Sequence, residues 1–276
     1  KKLLYGILFS FTYSRFKTGK WLIKRIVVWY TEKSEERKDD MRDVLDIHTH
    51  TLVSGHAYNT IMEMVQAASE KGLELLGITD HAPEMPGGPH LFYFNNLKVM
   101  PREINGIPVL FGTEVNIMDY DGKLDLPEST LRQMDVVIAS LHTPCIKPGS
   151  VQENTRALIT ALKNPYVNII GHPDDGRYPV DMERVVVTAK EEHKLLELNN
   201  HSLDPSGTRV GTEENDILML KYCIEYQQPV IMGSDAHCIW DIRNHDLAVS
   251  LIEKVGFPEE LVVNRSTEEF LSYIRK

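Results

Sequence analysis

Cysteine is scarce in this chain. Its 276 residues include three, Cys145, Cys223 and Cys238, and no two of them have C-x-x-C spacing. That fits neither a disulfide framework nor a zinc ribbon, and it points to a reducing compartment, the cytoplasm, where thiols pack as small apolar groups. Long apolar runs are missing as well. The longest charge-free run near the N-terminus, residues 3–14, falls short of the roughly 20 residues a helix needs to cross a bilayer, so stable membrane insertion is not expected. No small-residue cleavage site clearly follows it, which leaves a signal-like or interfacial segment as its membrane readings.

Acidic residues are absent from positions 1–30, which are basic and aromatic, and residues 32–40 form a charged, linker-like run. Residues 1–40 hold ten Lys/Arg against five Asp/Glu, whereas the rest of the chain holds twenty against thirty-five. A piece of net charge +5 thus precedes a body of −15. Met41 stands directly before the first strand-like run, so 1–40 reads as a basic extension, non-native or flexible, and 41–276 as the functional domain. An acidic body repels nucleic acid at long range, which argues against a DNA or RNA partner, while small anions held by metal remain compatible. With 42% hydrophobic and 25% charged residues, the composition is that of an ordinary globular protein.

From residue 43 onward strand and helix alternate. Apolar strand-like runs occur at 44–47, 73–78, 107–112, 136–140, 167–170, 195–198 and 230–232, and helical stretches at 58–71, 152–163, 181–193, 213–226 and 246–255. In the first helix Ile61, Met64, Val65 and Ala68 recur at helical spacing, and Gly72 stops it. Seven such units with nearly continuous apolar strands predict an α/β protein whose parallel sheet closes into a distorted barrel. An open doubly wound sheet is the alternative architecture.

All but one of these strands are followed by a residue type that binds metal. The sequence reads Asp46-Ile47-His48-Thr49-His50 after the first, with His56 beyond, then Thr79-Asp80-His81, Gly112-Thr113-Glu114, Ser140-Leu141-His142, Gly171-His172-Pro173 and Gly233-Ser234-Asp235-Ala236-His237. In a parallel barrel all strand C-termini open on one face, where active sites sit. These side chains therefore converge. Imidazole mixed with carboxylate suits zinc, manganese or iron, whereas calcium sites are built of oxygen. His48 and His50, two apart on a strand end, point to one side. That makes seven histidines, with His201 or His90 as a candidate eighth. His193 and His245, outside the pattern, read as packing or surface residues, and residues 83–94 (PEMPGGPHLFYF) form a candidate lid.

In order, DIHTH, TDH, GTE, SLH, GHP and GSDAH resemble the motifs of the PHP (polymerase and histidinol phosphatase) family, most of all its YcdX-type phosphatases, from about Asp43 to the C-terminus. The resemblance implies a distorted (β/α)7 barrel with a trinuclear metal site, usually zinc, with manganese or iron among relatives. By motif, it implies that His48, His50 and Asp235 hold one ion and that Glu114 bridges to a second ion held by His142 and His172. His56, His81 and His237 would hold the third.

Such a cluster lowers the pKa of a bound water from 15.7 to about 7 and clamps phosphate oxygens, so the expected reaction is hydrolysis of small phosphate monoesters by a metal-bound hydroxide. Asp46 and Asp80 are expected to orient the imidazoles. Arg177 and Arg209 read as solvated surface groups, with phosphate binding as their other reading. The rival enzyme is an amidohydrolase-like C–N hydrolase, which usually needs a bridging lysine, and no lysine ends a strand here. The non-enzymatic rival is a metal-stabilised module of the kind attached to polymerases. A homo-oligomer remains open.

Overall fold

A computed structural model describes residues 9–15, 21–28 and 41–274, and the chain divides into two compact units, 1–40 and 41–276. In the first, β1 (Phe9–Arg15) pairs antiparallel with β2 (Trp21–Val28), the register slipping between Thr12 and Tyr13. The charge-free run expected at 3–14 lies outside the described residues up to residue 8, and from Phe9 it is strand. No helix among the described residues is long and apolar enough to cross a membrane.

The second unit carries two sheets. One orders β3 (Leu45–Asp46), β4 (Leu75–Ile78), β6 (Ile107–Phe111) and β5 (Glu103–Ile104) as β3-β4-β6-β5. The other runs β11 (Val230–Gly233), β10 (Leu195–Asn199), β9 (Ile169–Ile170), β8 (Val137–Ser140), β7 (Thr113–Asn116). All pairings are parallel except β5 with β6. Isolated bridges join the sheets at both seams, Thr49 to Ala236 and His81 to Glu114. β6 and β7 are one strand bent at Gly112, where a Cβ would come within 2.1 Å of the Val136 carbonyl oxygen, so glycine alone fits. Seven parallel strands thus run round a distorted (β/α)7 barrel.

Every residue of β4, β7, β8, β10 and β11 is buried, as a sheet covered on both faces requires. Neighbouring residues part at period two. Leu75, Ile138, Ile169, Leu195 and Ile231 pack together with Phe270 and Val263, while Leu76, Val137, Ile170, Leu196 and Met232 join a second cluster with helical residues such as Met64, Leu158, Val185 and Met219.

Three of those helices start at a side-chain cap. α1 (Ile61–Glu70) opens at a Thr60/Glu63 capping box, which leaves Tyr58 and Asn59 of the expected 58–71 stretch outside it, and Gly72 at φ +74° follows its end. α2 (Leu91–Asn96) and α3 (Glu128–Leu131) are short. α4 (Val151–Leu162) opens at a Ser150/Glu153 box and α5 (Met182–Glu191) at Asp181. α6 (Thr212–Tyr226), α7 (Asp246–Val255) and α8 (Thr267–Ile274) complete the unit.

Candidate metal centre

Glu114 follows Thr113 at the start of β7 and is fully buried. Its two oxygens face different histidines. Oε1 lies 2.9 Å from His172 Nε2 and 3.2 Å from His142 Nε2, whereas Oε2 lies 2.7 Å from His81 Nδ1, 3.4 Å from His48 Nε2 and 3.6 Å from His50 Nε2. A second carboxylate, Asp235, puts Oδ1 at 3.3 Å from His50 Nε2 and 3.7 Å from His48 Nε2. The His237 ring lies tilted beside that of His50, with centroids 4.5 Å apart. His56 is exposed, yet its ring lies 4.9 Å from that of His81 and 4.8 Å from that of His237.

Two of these residues sit in backbone conformations that glycine prefers, His172 at φ +31° and Asp235 at φ +55°. Such strain is of order 1–3 kcal/mol per residue and survives only where the surroundings over-determine it. The surroundings here are hydrogen bonds. His172 N donates to Glu197 Oε2 at 2.9 Å, and Asp235 Oδ2 accepts from Arg209 at 3.1 Å and from Asn199 at 3.3 Å.

Four of the imidazoles are aimed from behind. Because an ionised carboxylate only accepts, His48 Nδ1 donates to Glu197 Oε1, at 2.6 Å, and turns Nε2 toward Glu114. His142 Nδ1 donates to Asn116 Oδ1 at 2.7 Å, and His237 Nδ1 to the Asp235 carbonyl at 2.8 Å. His50 Nδ1 lies 3.2 Å from Ser54 Oγ, whose own proton goes to Asp80 Oδ1 at 2.7 Å. The side turned inward stays unpaired: His48 Nε2, His50 Nε2, His81 Nδ1 and Glu114 Oε2 are buried without a hydrogen-bond partner. Buried polar atoms are rarely left so. Converging orphans of this kind match what a cation would fill.

Protonation suits that reading. Burial alone would raise Glu114, but His142, His48 and His81 hold it well below the usual carboxylate range, and His48, His50 and Arg209 do the same for Asp235. Burial, with His81 and His237 beside it, pushes His50 well down and His56 to about 4, and burial lowers His142. His48 goes the other way, since Glu197, Glu114 and Asp235 override its burial and hold it well up. Metal ligation needs ionised carboxylates and neutral imidazoles, and the shifts at Glu114, Asp235, His50, His56 and His142 run in that direction. Among the described residues three groups offer ligand atoms within 4.8 Å of one another: His48, His50 and Asp235; His81, Glu114 and His142; and His50, His81 and His237.

A family model for the PHP domain matches residues 46–201. The chain belongs to the PHP domain family. A probable phosphatase of Clostridium novyi (strain NT) is 46% identical to this PHP protein over 235 residues, which cover 85% of this chain and 96% of that one. A probable phosphatase of Caldicellulosiruptor saccharolyticus is 52% identical over 231 residues, 84% and 95% of the two chains. The fold is also that of a histidinol phosphate phosphatase from Lactococcus lactis subsp. lactis Il1403, solved with zinc, L-histidinol and phosphate, at a TM-score of 0.55 and 21% identity over 78% of this chain and 95% of that one.

Within this PHP domain the structure departs from several expectations. His81, which the resemblance groups with His56 and His237, also reaches Glu114, because the two residues form a parallel bridge. Asp80 touches no site imidazole directly. Its oxygens accept from Thr51, Ser54 and Tyr93, the last at 2.6 Å from the segment expected as a lid. Asp46 accepts hydrogen bonds from Ser234 and Arg243, with His245 Nε2 at an ion-pair distance of 3.6 Å, rather than meeting His48. Arg177 pairs with Asp175 at 2.6 Å, while Arg209, expected at the surface, is partly buried against Asp235, Asn199 and Ser202. Of the remaining histidines, His90 caps α2, the His201 ring lies 6.5 Å from that of His237, His193 stacks on Tyr273, and His245 is buried between acids. Glu197, Asn116 and Asn199 were not anticipated.

Proposed function

We propose that this PHP protein is a phosphatase that hydrolyses small phosphate monoesters at a cluster of three divalent ions, zinc in the first instance, with manganese or iron as alternatives. His48, His50 and Asp235 would hold one ion, His142, His172 and Glu114 a second, and His56, His81 and His237 the third, with Glu114 shared. The observation that carries this reading is the convergence of buried, unpartnered ligand atoms on Glu114. When bound, the ions supply a water of lowered pKa and positive charge for the phosphate oxygens. The chain's own residues supply aim: Glu197 and Asn116 fix which nitrogen His48 and His142 present. His56 and the partly exposed His237 mark the open side on which substrate would arrive.

We assign this activity to 41–276 and no part of it to 1–40. A cytoplasmic setting fits the three free thiols, Cys145, Cys223 and Cys238. Purified protein is expected to hydrolyse 4-nitrophenyl phosphate, to lose that activity to a chelator and to regain it with added Zn2+ or Mn2+. Activity that survives full removal of metal would sink the reading, and so would metal-loaded protein inert toward every phosphate monoester offered.

A further inference from the structure

Behind the metal centre, where β3 meets β11, a second buried cluster holds charge that the proposed reaction does not use. His245, at the start of α7, is almost fully buried, and so is Asp46 on β3. His245 Nδ1 lies 2.9 Å from Asp43 Oδ2 and Nε2 lies 3.6 Å from Asp46 Oδ1. Arg243 reaches the same carboxylate, with Nε 3.8 Å from Asp43 Oδ2. Asp46 Oδ2 in turn accepts from Ser234 Oγ at 2.5 Å and from Arg243 N at 2.8 Å, and Asp46 Oδ1 from Ser234 N at 3.3 Å. Ser234 directly precedes Asp235, and its Oγ also accepts from Ala236 N at 3.2 Å. The strained turn that carries Asp235 and His237 is therefore hung on Asp46.

We infer that His245 is a positioning residue of the metal centre, acting through Asp46 and Ser234 to hold the loop that presents Asp235 and His237. A buried carboxylate is held in place by the polar groups around it, and His245, 2.9 Å from Asp43 Oδ2 and 3.6 Å from Asp46 Oδ1, ties Asp46 to the start of α7. Charge state agrees. Burial alone would lower His245, but Asp43 and Asp46 beside it lift it to about 10. Asp46 accepts from the Ser234 hydroxyl and amide together, so a shift of Asp46 would loosen the turn that presents Asp235 and His237.

The inference rests on the metal reading above, and a double-mutant cycle separates the two. Zn2+ affinity of His245→Gln, Ser234→Ala and the double variant is read by competition with a chromophoric chelator, with the absorption spectrum of the Co2+-loaded proteins as a second readout. Each single change is expected to weaken the most loosely held ion about tenfold, in the range seen for groups that orient ligands, and to alter the Co2+ spectrum. The double variant should be no weaker than the worse single, since both act through one path. Unchanged affinity and spectrum in ion-loaded variants, or losses that multiply, would overturn the inference. Wild-type protein that binds no ion would overturn the metal reading instead. If His245→Gln does not fold, Asp43→Asn, which keeps the imidazole and neutralises its partner at 2.9 Å, takes its place in the same cycle.

Discussion

Glu114→Gln is expected to fold, to lower turnover on phosphate monoesters by at least about 100-fold and to bind at least one ion fewer than the wild type. The geometry explains why an isosteric change should do so much. Glu114 divides its oxygens between His142 and His172 on one side and His48, His50 and His81 on the other. An amide keeps the volume but replaces one anionic oxygen with a donor, which points N–H at nitrogen lone pairs that must face a cation. It also leaves the buried imidazoles without a full negative charge. Glu103, exposed on β5, should tolerate the same change, which makes it the control. Near wild-type turnover of Glu114→Gln with its full complement of metal would show that this carboxylate does not join two ion sites.

Glu197→Gln is the second large effect. Glu197 lies on β10, buried, and spans two ligand-bearing strand ends, with Oε1 on His48 Nδ1 at 2.6 Å and Oε2 on the His172 amide at 2.9 Å. The barrel leaves room for it deliberately: a Cβ at Gly233 would stand 1.9 Å from Oε1. A glutamine amide can still accept one bond but no longer supplies the charge that orients the His48 imidazole and raises its basicity. Losses of roughly 10–100-fold in metal affinity or activity are typical for such partners. Zn2+ competition measurements should find the variant in that range while its far-UV circular dichroism stays that of the wild type. Wild-type affinity would mean that His48 needs no help from behind.

The contrast between these two residues shows what could be read from the chain alone. Glu114 is visible because it follows directly on the apolar run 107–112, and a parallel barrel brings the ends of such runs to one face, so ligands about 190 residues apart along the chain need no contact information to be grouped. Glu197 sits inside a strand, in Leu195–Asn199, where no spacing rule singles it out. Its one signal is a charge in a run otherwise fit for burial, which demands a partner but does not say which.

Where the structure differs from expectation, the reason is physical. Asp80 does not turn to the adjacent His81, since successive residues on extended chain point to opposite sides, and it meets an imidazole only through Ser54, at His50. Asp46 shares a side with His48, but two residues along a strand are about 6.6 Å apart, so it meets the turn at Ser234 rather than the imidazole. His245 looked ordinary at a helix start because its partner Asp43 is 202 positions away. The short α2, α3 and β5 escape such a reading because elements of two to six residues hold too few turns or alternations to show a period.

Elemental analysis of the purified protein, per folded chain and after growth with ample trace metals, tests the central claim most directly. The account predicts two to three divalent ions per chain, with zinc among them, and a count that falls in Glu114→Gln. One ion or none in fully folded wild-type protein would contradict it.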